Sequence, residues 1–163
     1  MPHLRLFSIF QDTTIKFIVH THPPLFSVGD EIKLGIVLAG ANSKNLFLKD
    51  KKDNFFLVSV IDQKRVDLKT LSKVYGKGGL SFANADYLKA HLDLTPGSVT
   101  PYGLLNDTDN KVTFVLDEDF LGHSLINFHP LRNDMTVSVA PKDFLTFCTH
   151  INHTPSIIRI PVL

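Results

Sequence analysis

Three separate parts of this chain could act together on a small polar ligand. Lys44 stands at the start of a predicted strand over residues 43–49, and an ammonium group at such a position can anchor an anion. Segment 97–107 is rich in glycine and proline, so it can turn several backbone N–H groups toward a carbonyl or a phosphate. His129 precedes a proline in an apolar stretch. A site built from these groups could bind an ester and position a water molecule, although it has no obvious protein nucleophile.

Each of these features also has a purely structural interpretation. Glycine and proline in segment 97–107 are equally typical of a tight turn between two buried strands. A lone histidine such as His129, with apolar neighbours, is often a hydrogen-bonded structural residue. Cys148 lies in an apolar helical pattern and is expected in the core, and the acids of 117–119 fit a turn followed by a helix start. The residues alone therefore predict a small polar-ligand site that is either hydrolytic or only binding.

Familiar cofactor and nucleophile motifs are missing from the sequence. It contains no Gly-x-Gly-x-x-Gly, no Walker loop, no Gly-x-Ser-x-Gly and no cysteine pair. His20 and His22 fall on one face of a predicted strand, but no further cluster has the spacing of metal ligands. We therefore expect neither a metal nor an organic cofactor.

Composition and charge place the chain among globular domains. Hydrophobic residues make up 44% and charged residues 20% of the 163 residues, and no apolar run approaches the roughly 18 residues of a membrane span. Residues 1–10 lack the apolar centre of a secretory signal, and a single cysteine excludes an internal disulfide. These observations predict one soluble, cytoplasmic domain over residues 1–163.

The net charge of +1 is unevenly distributed along the chain. Residues 44–77 contain nine lysines and arginines against four aspartates. Within that segment Lys69, Lys73 and Lys77 recur every four residues, on the predicted outer face of a helix. Such a stripe suits a phosphate backbone, although a solvated helix face would look the same.

The periodicity of apolar residues predicts helices and strands in alternation without a strict βαβ rhythm. This pattern favours an α/β fold in which helices pack on a mixed sheet. The predicted helices cover residues 4–10, 28–38, 67–76 (with Leu68, Leu71 and Val74 inward), 84–92 and 141–151. The predicted strands cover residues 15–20, 43–49, 54–61, 80–82, 111–117, 135–139 and 156–160. Loops or irregular chain are expected at 97–107 and 127–131.

Five sequence blocks carry a resemblance to a known family. Ser43–Asp50, Asp67–Leu71, Leu80–Ala83, Pro96–Asp107 and Phe128–Asn133 occur in an order and spacing that resemble the YbaK/ProX family of aminoacyl-tRNA editing domains. Within that family the chain is most similar to the freestanding prolyl-tRNA editing proteins that deacylate Ala-tRNA(Pro). The similarity runs from about His22 to the C-terminus.

The resemblance implies both a fold and an activity. The fold would be a mixed, partly barrel-like sheet surrounded by helices. The activity would be hydrolysis of the ester between alanine and the 3′ adenosine of tRNA(Pro), without a metal. The implied partners are the alanine-bearing acceptor end of tRNA(Pro) and prolyl-tRNA synthetase, with no role for DNA or a membrane.

The family's essential lysine falls on Lys44, its Gly-x-x-x-Pro loop on 97–101, and its pocket histidine on His129. Lys44 would place the aminoacyl ester, and loop N–H groups beginning at Gly97 would stabilise the oxyanion. His129 would shape the pocket or order the attacking water. The further substrate contacts implied are Asn45, Ser98, Val99, Thr100, Pro101, Gly103, Asn106, Asn133, Phe26, Val28 and Ile32, and those to tRNA are Lys49, Lys69, Lys73 and Lys77.

Substrate choice would depend on size. A pocket that accepts a methyl group must exclude the proline ring by steric clash, because the interactions of one methylene are worth only about 1–3 kcal/mol. Met135 stands where a smaller residue is common in the family and could narrow the pocket. Alternatives are a deacylase for another amino acid such as Cys-tRNA(Pro), a non-catalytic tRNA- or synthetase-binding module, and a small-molecule binding protein.

Overall fold

The strands of the protein form two sheets. The computed structural model describes residues 1–27 and 29–163. Within that part, a three-stranded antiparallel sheet has the order β1-β7-β6, and a five-stranded sheet has the order β4-β2-β3-β5-β8. The strands are β1 (Phe17–Thr21), β2 (Ser43–Lys49), β3 (Phe55–Ile61), β4 (Ser81–Phe82), β5 (Val112–Asp117), β6 (Ile126–Phe128), β7 (Met135–Val139) and β8 (Ser156–Ile158).

The larger sheet is mixed, as the sequence predicted. β2 pairs antiparallel with β3 and β4, whereas β3 runs parallel to β5, and β5 runs parallel to β8. The strands of the described residues make two separate sheets rather than a closed barrel. The prediction of a mixed α/β fold is confirmed.

Helices surround these sheets. They are α1 (Pro2–Asp12), α2 (Asp30–Lys33), α3 (Leu68–Leu71), α4 (Ala85–Leu92) and α5 (Pro141–His150), with 3₁₀ helices at Pro101–Asn106 and Glu118–Gly122. Local chemistry explains where several begin. The Asn84 side chain accepts a hydrogen bond from the Tyr87 N–H, and Asp67 does the same for the Thr70 N–H. Pro141 occupies the first turn of α5, where its missing N–H costs nothing. No helix among the described residues has the length and apolar character needed to cross a bilayer.

Successive side chains along the central strands point to opposite faces of the larger sheet, and each face carries an apolar core. Leu57 and Phe114 point into one apolar cluster, and their neighbours Val58 and Val115 point into the other. The first cluster is rich in phenylalanine, and Cys148 is buried in it, as predicted. This packing fixes β2 and β3, from whose ends the candidate site is built.

Two helices are shorter than the sequence predicted. The predicted helix over 28–38 is only Asp30–Lys33, because Gly35 takes a positive φ of 69° and ends it; the predicted start at Val28 lies outside the described residues. The helix expected over 67–76 ends at Leu71. Leu71 is buried as predicted, but the prediction for Val74 was wrong, since 68% of Val74 is exposed in the turns that follow.

Two other segments are more regular than predicted. The second half of the 97–107 loop is the 3₁₀ helix Pro101–Asn106, because Pro101 presets φ and the Thr100 hydroxyl accepts the Tyr102 N–H. Residues 126–128 were expected to be irregular from 127 onward, but they pair with β7 as strand β6. The first difference comes from local capping that was not recognised, and the second from tertiary strand pairing that local composition does not reveal.

Candidate functional site

A cavity of about 250 Å³ lies where the start of β2, the end of β6, the start of β7 and loop 97–99 meet. Lys44, Gly97 and His129 all line it, although they are far apart in the sequence. Its other lining residues are Leu25, Phe26, Ser27, Glu31, Ile36, Leu38, Asn42, Ser43, Asn45, Asp62, Val99, Asn127, Phe128 and Thr136.

Lys44 supplies the cation of the cavity. It lies opposite Val60 in the β2–β3 ladder, and its ammonium donates a hydrogen bond to the backbone carbonyl of Lys64. Partial burial lowers the pKa of Lys44, and the nearby Asp62 carboxylate opposes that effect. An ammonium has three donors. Because the hydrogen bonds of the described residues use one of them, Lys44 retains donors for an anionic or carbonyl ligand.

His129 is held in one tautomer. Its Nδ1–H donates a 2.7 Å hydrogen bond to the Met135 carbonyl, which leaves Nε2 as an acceptor. Burial lowers the pKa of His129 from its usual value of 6.5, and His22, whose ring centroid is 6.0 Å away, acts in the same direction. The imidazole is therefore neutral at pH 7 and can accept a hydrogen bond from a water molecule.

The loop between Gly97 and Thr100 contributes backbone donors. Gly97 has a φ of 89°, a region that L side chains rarely adopt. The Ser98 N–H donates to the Thr95 carbonyl, whereas the N–H groups of Gly97 and Val99 have no acceptor in the part of the chain that the structure describes. Thr100 is fully buried, and its hydroxyl donates a 2.6 Å hydrogen bond to the backbone carbonyl of His129. The loop thus combines unpaired donors with a direct connection to the histidine.

Some of the other predicted substrate contacts line the cavity. Asn45, Val99 and Phe26 do so. Val28 lies outside the described residues, and Ile32 is 79% exposed and is not part of the lining.

The remaining predicted substrate contacts lie outside the cavity lining and pack or form hydrogen bonds within the protein. Pro101 and Gly103 are buried in the 3₁₀ helix, and the Asn106 side chain donates to the Leu92 carbonyl. The Asn133 carbonyl accepts the Leu25 N–H, and Ser98 stands next to the lining residues without being one of them. These residues shape the loops around the cavity.

Sequence reasoning missed two carboxylates in the cavity wall, Glu31 and Asp62. Burial raises the pKa of Asp62, and the nearby Glu31 carboxylate raises it further. The available signal was the position of Asp62, an acidic residue directly after β3, a strand in which six of seven residues are buried.

A buried amide was missed as well. The Asn127 amide donates to the Ala39 carbonyl and to the Asn42 side chain, both at 2.9 Å, while its oxygen accepts the Ser138 hydroxyl at 2.6 Å. The Ser43 hydroxyl in turn donates to the Asn127 backbone carbonyl. This network ties the start of β2 to β6 and β7, and it fixes the strand end that presents Lys44.

His20 in β1 and His22, one residue beyond its end, make hydrogen bonds to side chains of β7. His20 Nε2 lies 3.1 Å from the Ser138 hydroxyl, and His22 Nε2 lies 2.8 Å from the Thr136 hydroxyl. Among the described residues, no group of three or more histidine, cysteine or acidic side chains could hold a metal ion.

The prediction that three lysines form a stripe along one helix was wrong, because only Lys69 lies in α3. Lys69, Lys73 and Lys77 are nevertheless exposed. Lys49 is less free: its ammonium lies 2.7 Å from Asp53 and 5.0 Å from the centre of the Tyr87 ring. The basic groups are therefore spread over α3 and the turns that follow it.

Comparison with known proteins shows the family to which the chain belongs. The model of the aminoacyl-tRNA editing domain matches residues 22–147. Prolyl-tRNA synthetase associated domain-containing protein 1 of Bos taurus is 40% identical over 150 residues, which cover 89% of this chain and 87% of the relative. The prolyl-tRNA editing protein ProX of Acetoanaerobium sticklandii is 37% identical over 131 residues and covers 79% of each chain.

Solved structures show the same fold at low sequence identity. A crystal structure described as a candidate trans-editing enzyme for prolyl tRNA synthetase superposes with a TM-score of 0.71 at 19% identity, covering 98% of this chain and 96% of that one. A hypothetical protein, APE2540, superposes with a TM-score of 0.74 at 14% identity, covering 96% of this chain and 98% of that one. The family-model match spans most of the chain, and the chain therefore belongs to the aminoacyl-tRNA editing domain family.

Proposed function

We propose that this protein is a trans-editing hydrolase that removes alanine from mischarged Ala-tRNA(Pro). The observation that carries the proposal is the presence of Lys44, the backbone donors near Gly97 and the neutral His129 in one cavity. Membership in the editing family and the name of the relative ProX support a tRNA ester as the ligand.

The reaction follows from the positions of these groups. Lys44 anchors the terminal nucleotide and the ester with its remaining donors. A water molecule, held by Nε2 of His129, attacks the alanyl carbonyl carbon. The N–H groups of Gly97 and Val99 bind the oxygen on which negative charge develops. The bond to the ribose 3′ oxygen then breaks, that oxygen takes a proton that derives from the water, and alanine and deacylated tRNA are released. The neighbouring ribose hydroxyl can assist this proton transfer.

Selection against proline would come from the apolar part of the cavity. Leu25, Phe26, Ile36 and Leu38 line it beside the polar groups, and the total volume is about 250 Å³. A methyl group fits such a space more readily than a pyrrolidine ring, so exclusion by size provides the discrimination. Met135 does not line the cavity; its backbone carbonyl accepts the hydrogen bond from His129.

The tRNA body would contact the basic surface of segment 44–77. Exposed Lys69, Lys73 and Lys77 supply charges that neutralise phosphates, and the affinity would fall steeply with salt. Prolyl-tRNA synthetase, named in the relatives, is the proposed protein partner. We propose that residues 1–163 act as one editing domain in the cytoplasm, where tRNA charging and translation occur.

The test is a panel of charged tRNAs. Purified protein is incubated with Ala-, Cys-, Ser- and Pro-tRNA(Pro), and the ester remaining is measured over time against buffer alone. We expect rapid loss of alanine and retention of proline. Preferential loss of cysteine would contradict the alanine assignment and leave a deacylase of another specificity. If tRNA binds but no ester is cleaved, the protein is a binding module and the proposal fails.

A further inference from the structure

Asp62 is one of two carboxylates, with Glu31, in the wall of the cavity. It follows directly after β3 and lines the same cavity as Lys44, Gly97 and His129. Its N–H donates a 3.1 Å hydrogen bond to the Asn42 carbonyl, which fixes the residue beside the start of β2. The position of Asp62 is therefore set by the same hairpin that presents Lys44.

Within the described part of the chain, no side-chain cation lies within 4.0 Å of the Asp62 carboxylate. Two lysines near Asp62, Lys44 through its charge and Lys64 two residues along the chain, have other hydrogen-bond or ion-pair partners. Lys44 donates to the Lys64 carbonyl, and the Lys64 ammonium lies 2.8 Å from Asp117 and 2.6 Å from Asp119. Asp62 is thus a partly buried carboxylate in a binding cavity. It has no ion-pair partner within 4.0 Å among the described residues, although the Lys44 charge is near enough to lower its pKa.

The electrostatics of the cavity favour a cationic group beside this residue. Burial raises the pKa of Asp62, and Glu31, on the same cavity wall, raises it further, whereas Lys44 acts in the opposite direction; the first two effects prevail and disfavour the ionised form. A positively charged ligand group would reverse that effect, since an opposite charge nearby stabilises a carboxylate. For the proposed substrate class, that positively charged group must be part of the same ligand as the ester.

We propose that Asp62 binds the α-ammonium group of the aminoacyl ester and makes a free amino group a requirement for recognition. The inference rests on the proposed function. The α-ammonium is attached to the carbon next to the ester carbonyl, so it enters the cavity whenever the ester reaches the loop at Gly97. Ligands whose amino group is acylated, peptidyl esters among them, lack this charge. Asp62 is therefore a specificity-determining residue for the chemical class of the substrate.

Binding of non-hydrolysable analogues tests the proposal separately from catalysis. The two probes are 3′-alanylamino-3′-deoxyadenosine, which carries the ammonium, and the matched 3′-lactoylamino compound, which carries a hydroxyl in its place. Titration calorimetry at pH 7 measures both affinities for the unaltered protein and for Asp62→Asn, Asp62→Glu and Asp109→Asn. Asp109 is an exposed loop residue outside the cavity lining and serves as the matched control.

We expect the ammonium compound to bind the unaltered protein at least about tenfold more tightly than the hydroxyl compound, as a charge-assisted hydrogen bond would give. The preference should vanish in Asp62→Asn, remain in part in Asp62→Glu and be unchanged in Asp109→Asn. Equal affinities in the unaltered protein would overturn the inference, as would a preference that survives in Asp62→Asn. An ammonium preference without hydrolysis of any charged tRNA would support this site and contradict the deacylase.

Discussion

The hydroxyl of Thr100 donates a 2.6 Å hydrogen bond to the backbone carbonyl of His129. The same oxygen accepts the Tyr102 N–H at 3.3 Å and so begins the 3₁₀ helix Pro101–Asn106. One buried side chain therefore fixes the end of the backbone-donor loop relative to the pocket histidine. Thr100 thus positions the loop relative to His129, and its predicted contact with the substrate stays a prediction.

Replacing Thr100 with valine should destabilise the protein by about 1–3 kcal/mol, because the His129 carbonyl loses its donor and the helix loses its cap. Thr100→Ser keeps the hydroxyl and should remain close to the unaltered protein. Urea unfolding of both variants provides the measurement. Equal stability of the valine and serine variants would contradict the role assigned to this hydrogen bond.

His129 should impose an acid limb on the pH profile of deacylation. Burial lowers its pKa below the usual 6.5, so the neutral form persists at pH 7 and is lost only when the pH falls through that lowered value. We expect kcat/KM to be constant near pH 7 and to decrease at acid pH, with an inflection below 6.5. His129→Gln should lack this inflection. An inflection above 6.5, or one that persists in the glutamine variant, would show that another group titrates.

Protonation of His129 also links pH to folding. The unfolded chain takes up a proton near pH 6.5 and the folded protein only at a lower pH, so the free energy of unfolding decreases as the pH falls below 6.5. Thermal unfolding of the unaltered protein and His129→Gln across this range should show a smaller pH dependence in the variant. The same slope in both proteins would contradict this linkage.

Tyr102→Phe should stabilise the protein. The Tyr102 side chain is fully buried among phenylalanines, and its hydroxyl has no hydrogen-bond partner among the described residues. Removing that hydroxyl should increase the free energy of unfolding by about 1 kcal/mol. Tyr75→Phe is the matched control, since the Tyr75 hydroxyl is bonded to the Ser156 hydroxyl, and it should destabilise instead. A loss of stability in Tyr102→Phe would indicate a partner for this hydroxyl.

The basic surface predicts a salt-dependent affinity for tRNA. A variant with Lys69, Lys73 and Lys77 all changed to glutamine should bind tRNA more weakly, with a salt slope reduced by roughly one for each phosphate that is no longer neutralised. The control carries glutamine at three exposed lysines outside segment 44–77, namely Lys16, Lys111 and Lys142. Filter binding between low and moderate salt gives both slopes. Equal salt slopes for the two variants would show that segment 44–77 is not the tRNA-binding surface.

The parts of the fold with strong local signals were predictable. The buried run of β3 and the capping residue Asn84 gave elements that the structure confirms. The sequence also predicted Lys44, Gly97 and His129 as site residues, because each belongs to a motif with a fixed order along the chain. The structure adds that the three groups line one cavity, which only the pairing of strands far apart in sequence can determine.

The remaining errors have tertiary causes. Val74 has the helical spacing of a core residue, yet α3 ends before it and leaves it exposed. Asp62 belongs to no motif, and only the β2–β3 hairpin brings it to the cavity wall. For Thr100, which was predicted to contact the substrate, the structure adds that its buried hydroxyl connects two parts of the backbone. Local sequence does not encode which of these groups faces the cavity.

The most direct test of the deacylase assignment is single-turnover hydrolysis of Ala-tRNA(Pro) by the unaltered protein and by Lys44→Ala, with Lys142→Ala as an exposed control from α5. Lys44 provides the cation of the cavity, so we predict that its removal slows the release of alanine at least about a hundredfold. Lys142→Ala should match the unaltered protein. Release of alanine by Lys44→Ala at the unaltered rate would contradict the account.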